Sequence, residues 1–325
     1  MKIPNLVPVR FPEPLSNEIL PHSFYGFCKD VFEVSMMIDI LNDNSLIPKK
    51  GFNRSLDIGG GEGFCSLLLK NLGVSKNTTS IDPLQYRKIS KIDLIKYLFK
   101  YKKTFRKKIQ DVLHNFEKHF DYKINQKSHL FRLPIIALKG IDNQIYGAWE
   151  RANTKYDFIS CLLAYPYFSK TFFKDCIKSL NSKGVLFLFF DYYYSQTNSI
   201  GVDTGVPWNL IFLNQQKIKQ IVPNKFKKYS LLRLEKYGNH WKNKTLSDIV
   251  QEAKQSGFEV IYTRRHMSQK DNERIFYHQK EFVTKFNKFF LATYAKARKL
   301  NKNVTKKDLH TSFLTIILRK KCENS

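Results

Sequence analysis

Short segments with strand character alternate with amphipathic segments along most of the 325-residue chain. Seven segments have the length and composition of strands, and they lie at 55–58, 77–83, 129–138, 156–165, 185–190, 258–265 and 313–321. Apolar residues recur at helical spacing in the intervening segments, which are 24–44, 63–73, 172–184 and 245–257. The alternation predicts an α/β fold whose doubly wound, mostly parallel sheet carries helices on both faces.

Three segments interrupt this alternation and are predicted to be insertions. The segments at about 84–128 and 268–308 are basic and helical in pattern, whereas 192–245 is irregular and rich in aromatic residues. We therefore predict an N-terminal arm and helix over 1–50, followed by one domain over 51–325 that carries the insertions. The helix after the second insertion is expected to begin at an N-cap, with Thr245 or Ser247 as the candidates.

The composition indicates a chain with a substantial core and no membrane span. Hydrophobic residues make up 42% of it, and no apolar run approaches the roughly 18 residues that a transmembrane helix needs. The N-terminal residues lack the apolar stretch of a signal peptide. We therefore expect a cytoplasmic protein.

The formal net charge of +27 has two readings. A basic surface of this size favours binding to RNA or to an anionic membrane. However, most of the basic residues are lysines, and proteins from AT-rich genomes are often lysine-rich without any such partner. A net charge predicts non-specific association and does not identify a binding site. Both a binding partner and a lysine-rich composition therefore remain as explanations.

The five cysteines are scattered and form no CxxC pair. A zinc site or a disulfide framework needs closer spacing. The sequence therefore predicts no metal site, and most of these cysteines are expected to be small buried side chains.

The most distinctive stretch is "SLDIGGGEG" at 55–63, where a strand is followed by four glycines and then by a helix. A strand, a glycine turn and a helix N-terminus together let a ligand approach the backbone closely. The spacing is D-x-G-x-G-x-G, which differs from the G-x-G-x-x-G of dinucleotide-binding folds and from the phosphate loop of nucleotide triphosphatases. A glycine turn that only packs a helix on a strand is the alternative.

This stretch resembles motif I of class I S-adenosylmethionine-dependent methyltransferases. The resemblance implies a seven-stranded sheet whose seventh strand lies antiparallel beside the sixth, and it implies S-adenosylmethionine as the cofactor. Asp57 matches the acidic position of the motif, and the loop around the methionine portion would be formed by Gly59, Gly60, Gly61 and Gly63. Asp82, at the end of the second strand, matches the acidic residue that holds the ribose hydroxyls.

Two further cofactor contacts are predicted less directly. The family's third strand ends in an acidic or amide residue beside the adenine, and Asp142 is the candidate, with Asn143 as the alternative. Cys161, in the fourth strand, is also counted among the cofactor-binding residues.

The acceptor side has three candidate residues. Tyr165 follows the fourth strand within "AYPYF", which departs from the [DNS]-P-P-[YF] motif of enzymes that methylate amino groups. Asp191 ends the fifth strand, where ligands gather in open α/β sheets. His240 lies in the insertion that often covers the acceptor in this family, and it is a candidate base.

The resemblance leaves the acceptor open. The aromatic insertion favours an enclosed pocket for a small-molecule or lipid-like acceptor. The basic insertions favour RNA instead, since lysines neutralise phosphates and aromatic side chains stack on bases. A third possibility is a non-catalytic subunit that keeps the fold, although the intact Asp57, glycine loop and Asp82 argue against it.

Overall fold

A computed structural model describes residues 22–61, 63–82, 113–114, 116–117, 120–125, 142–146, 154–195, 208, 211, 242–267 and 280–322. Its centre is one seven-stranded sheet. The strands are β1 (Phe52–Ile58), β2 (Ser75–Asp82), β3 (Asn143–Tyr146), β4 (Tyr156–Leu162), β5 (Leu180–Asp191), β6 (Phe258–Met267) and β7 (Thr311–Lys320). The predicted strand at 129–138 lies outside the described residues, and β3 is a later segment.

The sheet is mixed, with the spatial order β3-β2-β1-β4-β5-β7-β6. The first five strands in this order pair in parallel. Strand β7 lies between β5 and β6 and runs antiparallel to both. The expected antiparallel seventh strand beside the sixth is therefore confirmed.

Helices pack on both faces of the sheet, and the sheet separates the core into two layers. They are α1 (His22–Asp43), α2 (Phe64–Asn71), α3 (Phe172–Ser179), α4 (Leu246–Gln255), α5 (Lys280–Leu300) and α6 (Lys306–Leu309). Strand β5 contributes Phe187 and Phe189 to one core cluster, together with α1 and α2, while Leu186 and Leu188 join the other, together with α3 and α4. This alternation follows from the two-residue repeat of a strand.

The start of β5 differs from the sequence-based prediction. The helix α3 ends at Ser179, and Leu180 is already extended and pairs with Tyr156 of β4. The polar residues at 181–183 obscured this strand because they interrupt its apolar pattern. Gly184 does not end the helix. It lies within β5, where a Cβ would be 2.9 Å from a methyl carbon of Leu180 and 3.0 Å from the carbonyl oxygen of Asn181, so the residue is closely packed.

Helix α4 begins at a complete capping box. The hydroxyl of Thr245 accepts a hydrogen bond from the Asp248 amide at 3.2 Å, and the Asp248 carboxylate accepts one from the Thr245 amide at 2.8 Å. Thr245, rather than Ser247, is therefore the N-cap.

Within the described part of the chain, no helix has the length and apolar character needed to cross a membrane.

Candidate functional site

The candidate site lies at the carboxyl ends of β1 and β4. The chain leaves β1 toward β2 on one side, while β4 lies on the other, so the strand order reverses at this point. Ligands in open α/β sheets bind in the crevice that such a reversal creates. The glycine stretch after β1 opens directly onto this crevice.

The glycine loop adopts backbone conformations that residues with a Cβ rarely adopt. Gly59, Gly61 and Gly63 have φ angles of 70°, 54° and 86°, which lie in the left-handed region that favours glycine. A Cβ at Gly59 would lie 2.3 Å from the Cβ of Ala164, so this residue lets the loop close against the end of β4. A Cβ at Gly61 would have no described atom within 4 Å, so Gly61 faces open space.

Asp57 lies beneath the loop, between two serines of the neighbouring strands. It is in register with Ser80 of β2 and Ser160 of β4. The Ser160 hydroxyl donates to Oδ1 of Asp57 at 2.9 Å, while Oδ2 has no hydrogen-bond partner within the described residues. With 2% of its surface exposed, the carboxyl is desolvated, and this burial raises the pKa of Asp57 to about 7, although the bond from Ser160 opposes the shift.

Asp82 connects the end of β2 to the glycine loop. Its Oδ2 accepts a hydrogen bond from the Gly61 amide at 3.0 Å, and 8% of its surface is exposed. Asp82 thus lies next to the open side of the loop, as the sequence predicted. A carboxylate has about four acceptor positions, so a side chain of this type suits the hydroxyl groups of a ligand.

Asp142 lies at the wrong end of its strand for a cofactor contact. It directly precedes β3, and Asn143, the first residue of β3, pairs with Thr79, near the middle of β2. Its carboxylate accepts from the Thr78 amide at 2.8 Å and forms an ion pair with Lys70. Asp142 and Asn143 are therefore removed from the set of adenine contacts; the end of β3 is at Tyr146.

Tyr165 and Cys161 are buried in the core instead of lining the crevice. The Tyr165 side chain is 0% exposed, and its ring contacts Phe190, with centroids 4.6 Å apart, and Phe172 at 5.1 Å. A short 3-10 helix, Tyr165–Tyr167, follows β4 and turns the tyrosine inward. Cys161 is fully buried in the same cluster. We retain neither as a contact of cofactor or acceptor.

Asp191 ends β5 at the same edge of the sheet as the glycine loop, where it pairs with Phe313 of β7. It is partly exposed there, so Asp191 stays a candidate for binding the acceptor. His240 lies outside the described residues.

The start of the aromatic insertion packs into the protein. Tyr192, Tyr193 and Tyr194 are buried. The Tyr192 hydroxyl donates to Asp308 at 2.6 Å, and the Tyr194 hydroxyl donates to the Asn243 carbonyl at 2.8 Å. These tyrosines therefore fasten the insertion to the domain, which was the alternative to a pocket-lining role.

The sequence analysis missed the contribution of α1. Lys29 and Glu33 form an ion pair one helical turn apart, with Nζ 3.2 Å from Oε1. Glu33 is close enough to influence the pKa of Asp57, and Asp191 influences that of Glu33. The available signal was an i,i+4 pair of opposite charges, Lys29 and Glu33, in a helix that also carries Asp30, Asp39 and Asp43. A sequence alone does not show that this pair is buried against the sheet.

Among the described residues, no group of three or more His, Cys, Asp or Glu side chains could hold a metal ion.

No model of a protein family and no curated protein matches the sequence. Solved structures with a similar course of the chain include the cyclopropane synthase MmaA2 from Mycobacterium tuberculosis, at 15% identity, covering 94% of this chain and 100% of that chain with a TM-score of 0.41. An S-adenosylmethionine-dependent methyltransferase from Clostridium acetobutylicum is 12% identical, with coverages of 90% and 92% and a TM-score of 0.39. One from Mesorhizobium loti is 12% identical, with coverages of 87% and 96% and a TM-score of 0.39. Identities and scores this low carry no information on activity.

Proposed function

We propose that this protein is an S-adenosylmethionine-dependent methyltransferase. The observation that carries the proposal is the glycine loop at the switch point of the sheet, open at Gly61 and tied to the carboxylate of Asp82. This arrangement offers a loop without side chains, which a ligand can approach closely, and a carboxylate to one elongated ligand with both polar and charged parts. It also follows the sequence resemblance position by position at Asp57, Gly59, Gly61, Gly63 and Asp82.

The residues present fit this cofactor. The loop at 59–61 would hold its methionine portion, and the carboxylate of Asp82 would accept hydrogen bonds from the ribose hydroxyls. Asp57 would support the loop from beneath, where its carboxyl packs under Gly60 and is held by the hydrogen bond from Ser160. When bound, the cofactor supplies an electrophilic methyl group on a positively charged sulfur. The contribution of the protein is then to bind and orient the acceptor.

We favour a small-molecule or lipid-like acceptor. The support is that α1 packs on the face of the sheet next to the crevice, with residues 31–41 all buried, because a helix beside the site favours an enclosed pocket, which suits a small ligand better than a polymer. The net charge of +27 is the observation in favour of RNA, the second candidate.

Titration calorimetry tests the cofactor. The wild-type protein should bind S-adenosylmethionine and S-adenosylhomocysteine without added metal or nicotinamide. Asp82→Ala should weaken binding by about 1.5–3 kcal/mol, because it removes charge-assisted hydrogen bonds. Asp142→Ala is the matched control, since Asp142 pairs with Lys70 away from the loop, and it should leave the affinity unchanged. Folded wild-type protein that binds neither compound would refute the proposal.

A further inference from the structure

The end of α5 and the short helix α6 that follows it present a strongly basic surface. Residues 282–307 contain no aspartate and no glutamate. The basic side chains of this stretch that are exposed are Arg298, Lys299, Lys302, Lys306 and Lys307. None of them forms an ion pair with another residue that the structure describes. Their positive charge is therefore not neutralised by those residues.

Two carboxylates lie next to this surface, and both are engaged in the local structure. Asp308 is 1% exposed and forms an ion pair with Arg265. Asp248, in the capping box of α4, accepts hydrogen bonds from the side-chain amides of Asn301 at 2.6 Å and Asn303 at 3.2 Å. The exposed charge between these two carboxylates is thus predominantly positive.

The same helix also carries exposed apolar side chains. Leu291 is 53% exposed and Leu300 is 44% exposed, and within the described part of the chain they are the only large hydrophobic side chains with such exposure. Helix α5 packs on the core through Phe290, Thr293 and Ala297, which are buried. Its outward side therefore combines leucine with lysine and arginine. We call the five exposed basic residues and these two leucines the α5–α6 surface.

Two aromatic side chains of α5 are turned toward the core. Phe290 is 8% exposed, and its ring lies 4.8 Å from that of His310 and 5.9 Å from that of Trp208. Tyr294 packs against the same core cluster. Surfaces that bind single-stranded RNA offer aromatic rings on which bases stack. Aliphatic side chains among lysines are instead typical of segments that lie on an anionic lipid surface.

The α5–α6 surface borders the edge of the sheet that holds the glycine loop. Strand β7 runs antiparallel to β5, so the first residues of β7 lie beside the carboxyl end of β5, where the Tyr192 amide donates to the Ser312 carbonyl at 2.9 Å. Only His310 separates α6 from β7. A partner bound to this surface would therefore lie at the same edge of the sheet as the crevice.

We propose that the α5–α6 surface docks on an anionic phospholipid bilayer. Its lysines and arginine would approach the negatively charged headgroups, and Leu291 and Leu300 would enter the boundary between headgroups and acyl chains. The choice of occupant follows from charge complementarity and from the aliphatic character of the exposed apolar side chains. The inference goes beyond the methyltransferase function and does not depend on it, because docking requires no cofactor.

Sedimentation with vesicles tests the contribution of the lysines. The full chain, without cofactor, is mixed with vesicles of phosphatidylcholine alone or of equal parts phosphatidylcholine and phosphatidylserine, and it should sediment only with the second kind. The triple variant Lys299→Gln, Lys302→Gln and Lys306→Gln should bind these vesicles about a hundredfold more weakly, because each basic residue near an anionic surface contributes a factor of about five.

The matched control removes the same charge elsewhere. Lys50→Gln, Lys76→Gln and Lys183→Gln change exposed residues near the amino ends of the strands. This control should bind the anionic vesicles nearly as well as the wild type. Thermal unfolding of each variant shows that the exposed substitutions leave the fold intact.

The leucines distinguish a bilayer from RNA. The double variant Leu291→Gln and Leu300→Gln keeps every charge, but it should bind the anionic vesicles about tenfold more weakly or worse, because less apolar surface is buried on docking. Its binding to a polyuridine RNA, which has no apolar interior, should equal that of the wild type.

Three results would overturn the inference, and none of them bears on cofactor binding. The first is a wild type that does not sediment with the anionic vesicles. The second is an equal loss of binding in the lysine variant and its control, which would assign the binding to the net charge of +27. The third is wild-type vesicle affinity in the leucine variant, and a loss of RNA binding in the lysine variant would then assign the surface to RNA. If the lysine variant does not fold, the leucine variant decides alone.

Discussion

Two neighbouring glycines of the loop are needed for different reasons. Gly60 faces the protein, because a Cβ there would lie 2.4 Å from Oδ2 of Asp57 and 2.3 Å from Oγ of Ser80. A Cβ at Gly61 would have no atom of the described residues within 4 Å, but the φ of Gly61, 54°, is in the left-handed region. The first glycine is thus a packing requirement, and the second is a conformational requirement on the side where a ligand would lie.

Alanine at these two positions should separate stability from binding. Gly60→Ala should lower the free energy of unfolding by about 1–3 kcal/mol through overpacking. Gly61→Ala should cost about 1–2 kcal/mol for its left-handed backbone, and it should also weaken binding of S-adenosylhomocysteine, because its methyl group would project into the ligand space. Urea denaturation and calorimetry measure the two effects. Wild-type affinity in Gly61→Ala would mean that the open side of the loop is not the cofactor side.

Residue positions were predictable where local sequence determines them. Asp57 and Asp82 sit at the ends of short buried strands beside glycine or proline, so their place at the sheet edge follows from the chain itself. Asp142 was misplaced because a long insertion separates β3 from β2 and hides the start of β3. Glu33 was missed because its closeness to Asp57 and Asp191 arises only when α1 packs over the sheet.

The ends of helices and strands also differ in whether the local sequence determines them. The start of α4 follows from a capping box within four residues, which is local information. The start of β5 depends on Leu180 pairing with Tyr156, 24 residues earlier in the chain, and a local pattern cannot contain that pairing. Local signals therefore predicted the cores of the elements, and tertiary pairing determined several of their ends.

The N-cap of α4 provides a test of this local information. Thr245→Ala should lower the free energy of unfolding by about 1 kcal/mol, because it leaves an amide of the first turn without its acceptor. Ser247→Ala is the matched control, as Ser247 is exposed within the same turn and should have a much smaller effect. Equal losses in the two variants, measured by urea denaturation, would show that the capping bond does not stabilise the helix.

His266 joins three elements in its neutral form. Its Nδ1–H donates to the Phe120 carbonyl at 2.7 Å, while Nε2 accepts from the Thr315 hydroxyl at 2.7 Å. Burial lowers the pKa of His266 from 6.5 to about 3, and the nearby Arg264 adds to this shift. The contact between β6 and the segment around Phe120 thus depends on an uncharged imidazole.

The stability of the protein should therefore depend on pH through this residue. Between pH 6.5 and 3 the unfolded chain takes up a proton at His266 that the folded chain does not, so the free energy of unfolding falls as the pH decreases. His266→Gln cannot titrate, and its stability should fall less over the same range. The raised pKa values of Asp57 and Glu33 change the free energy of unfolding in the opposite direction. They do so equally in the wild type and in His266→Gln, so they do not affect the comparison. Parallel pH profiles of unfolding would show that His266 is not held neutral.

At the scale of the whole molecule, the formal net charge of +27 is the feature that bears on the acceptor. The charge includes the cluster formed by Lys102, Lys103, Arg106, Lys107 and Lys108, which lies outside the described residues. A small-molecule enzyme has no need of this cluster for catalysis, whereas an RNA methyltransferase would use it to neutralise phosphates. The same cluster therefore distinguishes the two acceptor hypotheses.

Reversing the charge of residues in this cluster distinguishes a small-molecule acceptor from RNA. If the acceptor is small, the triple variant Lys103→Glu, Arg106→Glu and Lys107→Glu should keep the wild-type affinity for S-adenosylhomocysteine, and any RNA binding should be weak. The control for the change in net charge is the reversal of Lys50, Lys76 and Lys183. These residues are exposed near the amino ends of the strands, away from the glycine loop. RNA binding is measured as a function of salt, where each phosphate contacted on a single strand contributes a log–log slope of about −0.7. We expect the small-molecule outcome, because α1 packs on the face of the sheet next to the crevice and favours an enclosed site. Tight, salt-sensitive RNA binding that is lost in the first variant and kept in the control, together with methyl transfer to that RNA, would overturn this expectation.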